Sequence, residues 1–242
     1  MRKVKLALFD IDGTIFRSSL LIEYINGLIE SGIFPKKAGN GIEDAHLAWL
    51  DRRGNYHDYL MDVVKVHLKY IKGKKWADVK KVVDRVVATH EDRVYRYTRD
   101  LVKSLKKKGY FLVSISGSPV YMVQKFARHM GFDRAFGQTL EIKRGKFTGI
   151  ISNPEFLNKD KILNFFLEKE ALDIDWKNSI AVGDTDNDIP MLKMVGHPIA
   201  FNPNREFVKY ALKNSWEIVV ERKDVIYKIN SCLILPYEVM GE

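Results

Sequence analysis

Two aspartates stand two residues apart at the end of a short apolar run near the start of the sequence. Residues 5–9 are followed by Asp10, Ile11, Asp12 and Gly13. An apolar run of this length is typical of a strand buried on both faces, and a strand places residues i and i+2 on the same side. We therefore expect both carboxylates at the carboxyl end of a buried strand, where ligands bind in open α/β sheets. Unpaired acids in that position require a cation, a proton or a substrate.

The same segment is also compatible with a polar turn whose acids are solvated, or with a calcium-binding loop. A loop of the EF-hand type requires glycine at its sixth position and glutamate at its twelfth. Counted from Asp10, those positions hold Ile15 and Leu21, which excludes the calcium loop. The polar turn stays open from this segment alone, so the decision depends on the rest of the chain.

A second apolar run, residues 180–183, also ends in carboxylates. Asp184 follows it directly, and Asp188 falls in the first turn of a predicted helix, where a negative charge complements the helix dipole. A calcium loop is excluded here as well, because Ile189 and Val195 occupy the positions that need glycine and glutamate. A second strand is therefore expected to deliver acids to the same edge of the sheet.

Two further segments carry groups that suit a phosphate. An apolar strand ends at Ser116, and Gly117 and Ser118 are predicted to open a helix, whose N-terminal N–H groups favour an anion. An ordinary turn and helix cap would account for the same residues. Lys159 and Lys161 stand at another predicted helix start, which the helix dipole disfavours. Either one of these lysines has an acidic partner elsewhere or both are exposed.

Taken together, the four segments predict a magnesium site. Two strands supply four carboxylates, a third supplies a hydroxyl, and a helix start supplies a lysine. Clustered hard oxygens with space for water and a phosphate suit Mg²⁺. The sequence shows no set of His and Cys residues of the kind that zinc prefers.

The elements that position these residues divide into a helical block and an α/β region. From about residue 16 to 92 the apolar spacing is helical, and from residue 93 onward strands alternate with helices, which predicts a parallel sheet. The predicted helices are 18–31, 43–51, 56–71, 75–89, 93–107, 119–130, 159–171, 188 onward and 204–213. The predicted strands are 110–116, 179–182, 198–201 and 216–220, with a loop through 39–41 and a β-hairpin over 138–151 that turns at residues 144–145.

This order predicts two domains. Residues 1–15 and 93–242 form an α/β core domain, and residues 16–92 form a helical cap domain inserted directly after the first acidic strand. A cap in that position is placed to cover the site as a lid.

Composition limits the class of protein. The chain has 242 residues, 46% of them hydrophobic, and its single cysteine, Cys232, excludes an intramolecular disulfide and fits a reducing cytoplasm. Asp10 interrupts the only N-terminal apolar run, so no signal peptide is predicted, and no segment has transmembrane length. We therefore expect a cytoplasmic protein without a membrane partner, either a monomer or a homodimer. The net charge of +9 permits nucleic-acid binding, but the lysines are scattered and not interleaved with aromatic residues, so a nucleic-acid partner is not expected.

The four segments resemble, in order, the motifs of haloacid dehalogenase superfamily phosphatases, in the branch (subfamily IB) that contains phosphoserine phosphatase. The segments are 10–14, 116–117, 159–161 and 183–188, and residues 196–203 resemble the stretch that follows in this branch. The resemblance covers nearly the whole chain. It implies a Rossmann-like three-layer core with a parallel sheet, an inserted all-helical cap, a small β-hairpin flap and a requirement for Mg²⁺.

The resemblance also implies catalytic roles. Asp10 is the nucleophile that receives the phosphoryl group, and Asp12 is the general acid for the leaving alcohol and then the base for water. Ser116 holds a phosphoryl oxygen together with backbone N–H groups near Gly117. A lysine neutralises the transferring group; the spacing to Asp184 favours Lys161, while the helical pattern also allows Lys159.

The same resemblance assigns the metal and phosphate contacts. Asp10, the Asp12 carbonyl and Asp184 are the implied Mg²⁺ ligands, and Asp188 steadies either the metal or the lysine. Gly13 and Asn187 are the remaining residues expected near the phosphate.

One position departs from the pattern of phosphoserine phosphatases. Those enzymes carry a cap glutamate that receives the substrate ammonium, and the corresponding position here is Ser19. The substrate is therefore expected to be another small phosphorylated metabolite, hydrolysed by a Mg²⁺-dependent phosphomonoesterase. The alternatives are a phosphotransferase that uses the same site, and an idle site in a protein that binds a phospholigand or nucleic acid.

Overall fold

The computed structural model describes residues 3–54, 56–153 and 158–229. In chain order its elements are β1 (Leu6–Phe9), α1 (Leu20–Glu30), α2 (Ala38–Leu50), α3 (Tyr56–Ile71), α4 (Trp76–His90), α5 (Arg96–Lys107), β2 (Phe111–Pro119), α6 (Val120–Met130), β3 (Arg134–Gln138), β4 (Leu140–Lys143), β5 (Lys146–Ile151), α7 (Lys159–Glu170), β6 (Ile180–Gly183), α8 (Ile189–Leu192), β7 (His197–Phe201), α9 (Arg205–Lys213), β8 (Glu217–Arg222) and β9 (Val225–Ile229).

The described residues form a seven-stranded sheet with the strand order β3-β2-β1-β6-β7-β8-β9. All neighbouring strands are parallel except β8 and β9, which are antiparallel. The first strand, β1, lies between β2 and β6, so the chain order reverses beside it. This is the topological switch point at which α/β sheets bind ligands.

Alternate residues of β1 pack into hydrophobic clusters on opposite faces of the sheet. Ala7 and Phe9 belong to the cluster that also contains the helices α1 to α4. Leu6 and Leu8 belong to the cluster formed with α7, α8 and α9. A strand buried on both faces is apolar at every position, which is why its sequence is a continuous apolar run. The three-layer α/β fold predicted from the sequence is confirmed.

The helical block α1 to α4 lies between β1 and α5 in the chain and is tied to the β4–β5 hairpin. The Gly73 N–H donates to the Phe147 carbonyl at 2.8 Å, and the Trp76 N–H donates to the Gly145 carbonyl at 2.9 Å. Trp76 also packs edge-on against the Phe147 ring, with centroids 5.9 Å apart. The predicted hairpin flap is therefore present and contacts the helical block. The division into a cap of residues 16–92 and a core of 1–15 and 93–242 stays a prediction, and residues 230–242 of that core lie outside the described residues.

Several element boundaries were predicted wrongly. The loop through 39–41 is the first turn of α2, whose helix includes Gly39 and Gly41 although glycine is a poor helix former. The helix predicted over 119–130 is found at Val120–Met130, but β2 does not end at Ser116 and continues through residues 117–119, so Gly117 and Ser118 do not open the helix. Strands β3 and β9 were not predicted, since neither is a continuous apolar run, and every residue of β9 is exposed or half-buried at the sheet edge. Among the described residues, the longest apolar helical stretches fall short of what crossing a bilayer requires.

A buried histidine lies where the helical block meets α6. His67 on α3 is 1% exposed, and its Nε2 has no hydrogen-bond partner among the described residues. Its ring packs edge-on against Tyr24, whose hydroxyl lies 2.9 Å from that of Tyr121 on α6. Burial lowers the pKa of His67 to about 4. The imidazole is therefore neutral in the folded protein at neutral pH.

Because the folded state resists protonation of His67, acid should favour unfolding. An unfolded histidine binds a proton below about pH 6.5, whereas His67 does so only near pH 4, so stability falls as the pH drops through this window. We expect the wild type to lose roughly 2 kcal/mol more than His67→Phe between about pH 7.5 and pH 5, measured by urea unfolding. His57→Phe, at an exposed position of the same helix, is the matched control and should keep the wild-type pH dependence. Equal pH dependence in the wild type and His67→Phe would contradict this.

Candidate active site

The strand register brings the predicted acids and the predicted hydroxyl to one edge of the sheet. Phe9 pairs with Ser114 of β2 on one side and with Val182 of β6 on the other. Asp10 follows Phe9 directly, while Ser116 and Asp184 each lie two residues beyond their paired positions. Parallel pairing therefore places all three at the carboxyl edge, as the sequence predicted.

Asp10 and Asp188 share one lysine, Lys159, at the start of α7. Its Nζ lies 2.5 Å from Asp10 Oδ1 and also donates to Asp188 Oδ1. The side chains of Lys159, Asp10 and Asp188 are 11%, 7% and 0% exposed, so the ion pairs are screened little by water. Burial disfavours the charge on Lys159, but the two carboxylates outweigh it and raise the pKa of the ammonium group. Lys159 is a fixed positive charge beside the Asp10 carboxylate.

Asp188 is held by the backbone as well as by the lysine. Its Oδ2 accepts the N–H groups of Asp184 at 3.0 Å and Thr185 at 2.9 Å, in a capping box with Thr185. Both Asp188 oxygens therefore have protein partners. Of the two roles expected for this residue, the contacts favour steadying the lysine.

The Asp12 carboxylate points away from the lysine, toward two hydroxyls and a helix start. Its Oδ2 accepts from Ser116 Oγ at 2.5 Å and from Ser118 Oγ at 2.9 Å. Its Oδ1 accepts the Leu20 N–H at 2.5 Å, so Asp12 caps α1 in place of the adjacent Ser19, whose side chain makes no capping bond. Ser116 Oγ in turn accepts the Ser118 N–H at 2.9 Å. Asp12 is thereby linked to the residues expected to hold the phosphate and to α1, the first helix of the helical block.

Gly13 allows Asp184 to approach the first strand end. Its φ is +83°, and a Cβ atom at this position would collide with the Asp184 carboxylate. The Thr14 hydroxyl lies 3.4 Å from Asp184 Oδ1. The space beside Gly13 is therefore occupied by Asp184, and the expected contact of Gly13 with the phosphate stays a prediction.

The acidic centre fits a divalent cation. One carboxylate oxygen from each of Asp10, Asp184 and Asp188 lies within 4.8 Å of the others. Asp10 Oδ2 is buried and has no hydrogen-bond partner among the described residues. A buried carboxylate oxygen without a partner is costly, and hard oxygen donors of this kind are the ligands that Mg²⁺ prefers. The Asp12 carboxylate lies outside this cluster, so only its carbonyl remains as the proposed ligand.

The electrostatics of the acidic centre also favour a bound cation. Burial raises the pKa of Asp10 to about 7 against the opposing effect of Lys159, and the charges of Asp188 and Asp12 add to the increase. Burial, followed by the charges of Asp10 and Asp188, raises the pKa of Asp184 well above its ordinary value. One lysine is therefore insufficient to neutralise this group of acids, and a bound cation would relieve the remaining repulsion.

The choice of Lys161 over Lys159 was wrong. Lys161 is exposed on α7, whereas Lys159 reaches Asp10 and Asp188. The helix begins at Lys159, so this side chain extends from its N-terminal end toward the sheet edge, and Lys161, two residues on, faces another direction. Gly117 and Asn187 are exposed at the same edge, and their expected phosphate contacts stay predictions.

Sequence reasoning missed functional candidates on β2 and α3. Ser118 was treated as a helix opener, yet it shares the Asp12 carboxylate with Ser116. The i, i+2 rule that grouped Asp10 with Asp12 would have grouped these serines if β2 had been extended. Tyr56 was predicted to lie in a helix, and no role in the site was predicted for it. Burial, followed by the charges of Asp12 and Asp184, raises the pKa of its hydroxyl.

Fold and site together define an α/β enzyme with a buried acidic centre at the carboxyl edge of its sheet. The family model for haloacid dehalogenase-like hydrolases matches residues 7–193. A phosphoserine phosphatase of Methanocaldococcus jannaschii is 28% identical over 226 residues, which cover 93% of this chain and 95% of that protein. A phosphoserine phosphatase of Archaeoglobus fulgidus is 28% identical over 239 residues, which cover 98% of this chain but only 62% of that protein.

Solved structures with a similar fold are also found. A structure described as a phospho-aspartyl intermediate analogue of phosphoserine phosphatase has a TM-score of 0.60 and 27% identity, over 92% of this chain and 96% of that one. A protein of unknown function from Bordetella pertussis Tohama I shares the fold with a TM-score of 0.73 at 19% identity, over 90% and 98% of the two chains. The chain belongs to the haloacid dehalogenase-like hydrolase family. Its resemblance to phosphoserine phosphatases is confirmed in both sequence and fold.

Removing Lys159 should destabilise the metal-free protein. Lys159→Met leaves Asp10 and Asp188 buried without their shared cation, and breaking a buried pair costs about 3–5 kcal/mol. Lys161→Met is the matched control, and a change at this exposed position should stay within about 0.5 kcal/mol of the wild type. Chemical denaturation in the presence of EDTA measures both. Equal stability of the two variants would show that Lys159 does not compensate the acids.

Proposed function

We propose that the protein is a Mg²⁺-dependent phosphomonoesterase that acts on a small phosphorylated metabolite through an aspartyl-phosphate on Asp10. The observation that carries the proposal is the state of the Asp10 carboxylate. It lies at a strand end, one oxygen is held by Lys159, and the other is buried without a partner among the described residues. Relatives named phosphoserine phosphatase support the reaction class.

In the first half-reaction, an Asp10 oxygen attacks the phosphorus and the bond from phosphorus to the leaving oxygen breaks. Asp12 gives a proton to that oxygen, and the product is an alcohol. Lys159 and the hydroxyl of Ser116 stabilise the negative charge on the transferring group. Mg²⁺ held by Asp10, Asp184 and the Asp12 carbonyl would neutralise further charge on the phosphoryl oxygens.

In the second half-reaction, Asp12 accepts a proton from water as the water oxygen attacks phosphorus. The bond between phosphorus and Asp10 breaks, and inorganic phosphate leaves. Asp12 ends protonated, ready to act as the acid in the next cycle. One carboxyl group thus serves both steps, and its fixed position between Ser116, Ser118 and the start of α1 keeps it close to the reacting group.

The substrate is proposed to differ from phosphoserine. Ser19 stands where the resemblance places a glutamate for the substrate ammonium, and it is 2% exposed. Glu23, one helical turn further on, is already paired with Arg93 at 2.7 Å and lies 3.4 Å from His90 Nε2. Neither residue offers a free carboxylate for an ammonium group.

The first test of the proposal is metal-dependent phosphate release. Purified protein should release p-nitrophenol from p-nitrophenyl phosphate with Mg²⁺, EDTA should abolish release, and Asp10→Asn should lower kcat by at least about 1,000-fold, because the nucleophile is lost. Asp186→Asn, at an exposed position of the turn after β6, is the matched control and should retain wild-type activity. Metal-independent release, or full activity of Asp10→Asn, contradicts the proposal. Added acceptor alcohols test for phosphotransfer in the same assay.

The hydroxyl of Ser116 should contribute to the transition state. Ser116→Ala removes one donor to the phosphoryl group and should lower kcat/KM by roughly 100-fold, as loss of one such donor does elsewhere. Ser104→Ala, on α5, is the control and should behave as the wild type. Steady-state kinetics with one substrate measure this effect. If kcat/KM of Ser116→Ala falls by less than about threefold, Ser116 does not contribute to the transition state.

A further inference from the structure

A large cavity lies among α1, α2 and the start of α3, beside the acidic centre. Its volume is about 630 Å³, within the range of small-molecule sites. Ser18 and Tyr56 line it. The Ser18 carbonyl accepts the Gly13 N–H at 3.1 Å, and the N–H of Leu20, two residues further on, donates to Asp12 Oδ1 at 2.5 Å. The cavity therefore adjoins the position at which a phosphomonoester bound at Asp10 would carry its alcohol.

Four aromatic side chains form one wall of this cavity, and we call them the aromatic platform: His46, Trp49, Tyr56 and Tyr59. The planes of Trp49 and Tyr59 lie within 11° of parallel with centroids 6.0 Å apart, and His46 lies 5.1 Å from Tyr59 at 25°. Tyr56 meets Trp49 edge-on at 5.3 Å. The rings of His46, Trp49 and Tyr59 are near-parallel and pack against one another.

The platform is not simply part of the hydrophobic core. Tyr59 is buried, but His46, Trp49 and Tyr56 are only half-buried and face the cavity. Aromatic surface left in contact with water is available to a ligand, which gains by covering it. A partly exposed aromatic wall favours a planar ring, since stacking on aromatic side chains suits any π-face.

The charges around the cavity fit a ring better than an ammonium group. Of its two lining glutamates, Glu23 is paired with Arg93 and Glu43 is exposed. The lining also includes Arg17 and Lys36, both positive. A cationic leaving group would meet these two cations, whereas a neutral ring or one with acceptor atoms would not be repelled.

We propose that the aromatic platform stacks against a planar ring in the leaving alcohol, so that the substrate is a monophosphate ester of a ring-bearing alcohol such as a nucleoside or a pyridoxine-like compound. This inference rests on the proposed phosphomonoesterase function. It assigns the specificity of that function to His46, Trp49, Tyr56 and Tyr59.

The test compares esters with and without a planar ring. The ring-bearing probes are adenosine 5′-monophosphate and pyridoxal 5′-phosphate, and the ring-free probes are phosphoserine, glycerol 3-phosphate and phosphocholine. We expect kcat/KM for the better ring-bearing ester to exceed that of every ring-free ester by roughly tenfold or more, the size of one stacking contact. A ring-free ester that equals or exceeds both ring-bearing esters overturns the inference, and a preference for phosphocholine would indicate a cation-binding cavity instead.

Substitutions in the platform give a second, independent readout. Trp49→Leu should reduce the ratio of kcat/KM between ring-bearing and ring-free esters by roughly tenfold, mostly through KM, and Trp49→Phe should restore most of it. Tyr70→Leu, at a half-buried aromatic position of the same helix as Tyr56 that does not line the cavity, should leave the ratio unchanged. An unchanged ratio in Trp49→Leu overturns the inference.

Binding to an inactive variant separates this inference from the proposed function. Calorimetric titration of Asp10→Asn with Mg²⁺ and each ester measures affinity without turnover. If a ring-bearing ester binds more tightly than the ring-free esters, the proposed role of the aromatic platform is supported. If the wild type also hydrolyses none of the esters, only the proposed phosphomonoesterase activity is refuted. If the wild type hydrolyses all of the esters and the inactive variant binds them equally, the proposed phosphomonoesterase activity stands and the proposed role of the aromatic platform is refuted.

Discussion

The mutual repulsion of Asp10, Asp184 and Asp188 is the constraint on which this edge of the sheet depends. At separations of up to 4.8 Å and an effective dielectric constant of about 20, each pair of charges costs about 3.5 kcal/mol or more. The fold offsets part of this cost with Lys159 and with two backbone N–H groups directed at Asp188. Asp10 Oδ2 and the charge of Asp184 remain to be compensated, and a bound cation would do this.

Sheet topology makes that arrangement available. The strand β1 lies between β2 and β6 in parallel register, so the three strand ends deliver their polar residues to one small volume. Asp12 then connects this volume to the helical block by capping α1 through the Leu20 N–H. The helix α1 therefore begins at the Asp12 side chain, and the cavity with its aromatic platform lies along that helix.

The parts of the fold that sequence reasoning predicted correctly are those with strong periodicity. Strands β1 and β6 are continuous apolar runs, and the acids after them follow from alternation along a strand. The choice between Lys159 and Lys161 could not be made from spacing, because it depends on where α7 points relative to β1, which is a tertiary property. Ser118 was missed because a Gly-Ser-Pro sequence is typical of a turn, yet here the pairing with β3 extends to Pro119 and keeps the segment extended. The effect of the Asp12 and Asp184 charges on the Tyr56 hydroxyl depends on helix packing, which no local pattern encodes.

The most direct measurement is the location of the phosphoryl group during turnover. Asp12→Asn lacks the base that activates water in the second half-reaction. The p-nitrophenolate group leaves without protonation by an acid, so the first half-reaction should still proceed. This variant should therefore accumulate the aspartyl-phosphate when it is given p-nitrophenyl phosphate. After acid quench and proteolysis, mass spectrometry should find the phosphoryl group on Asp10, and Asp10→Asn should show none. Turnover of substrate by the wild type with the phosphoryl group on another residue, or with no phosphorylated species in Asp12→Asn, would contradict the assignment of Asp10 as nucleophile.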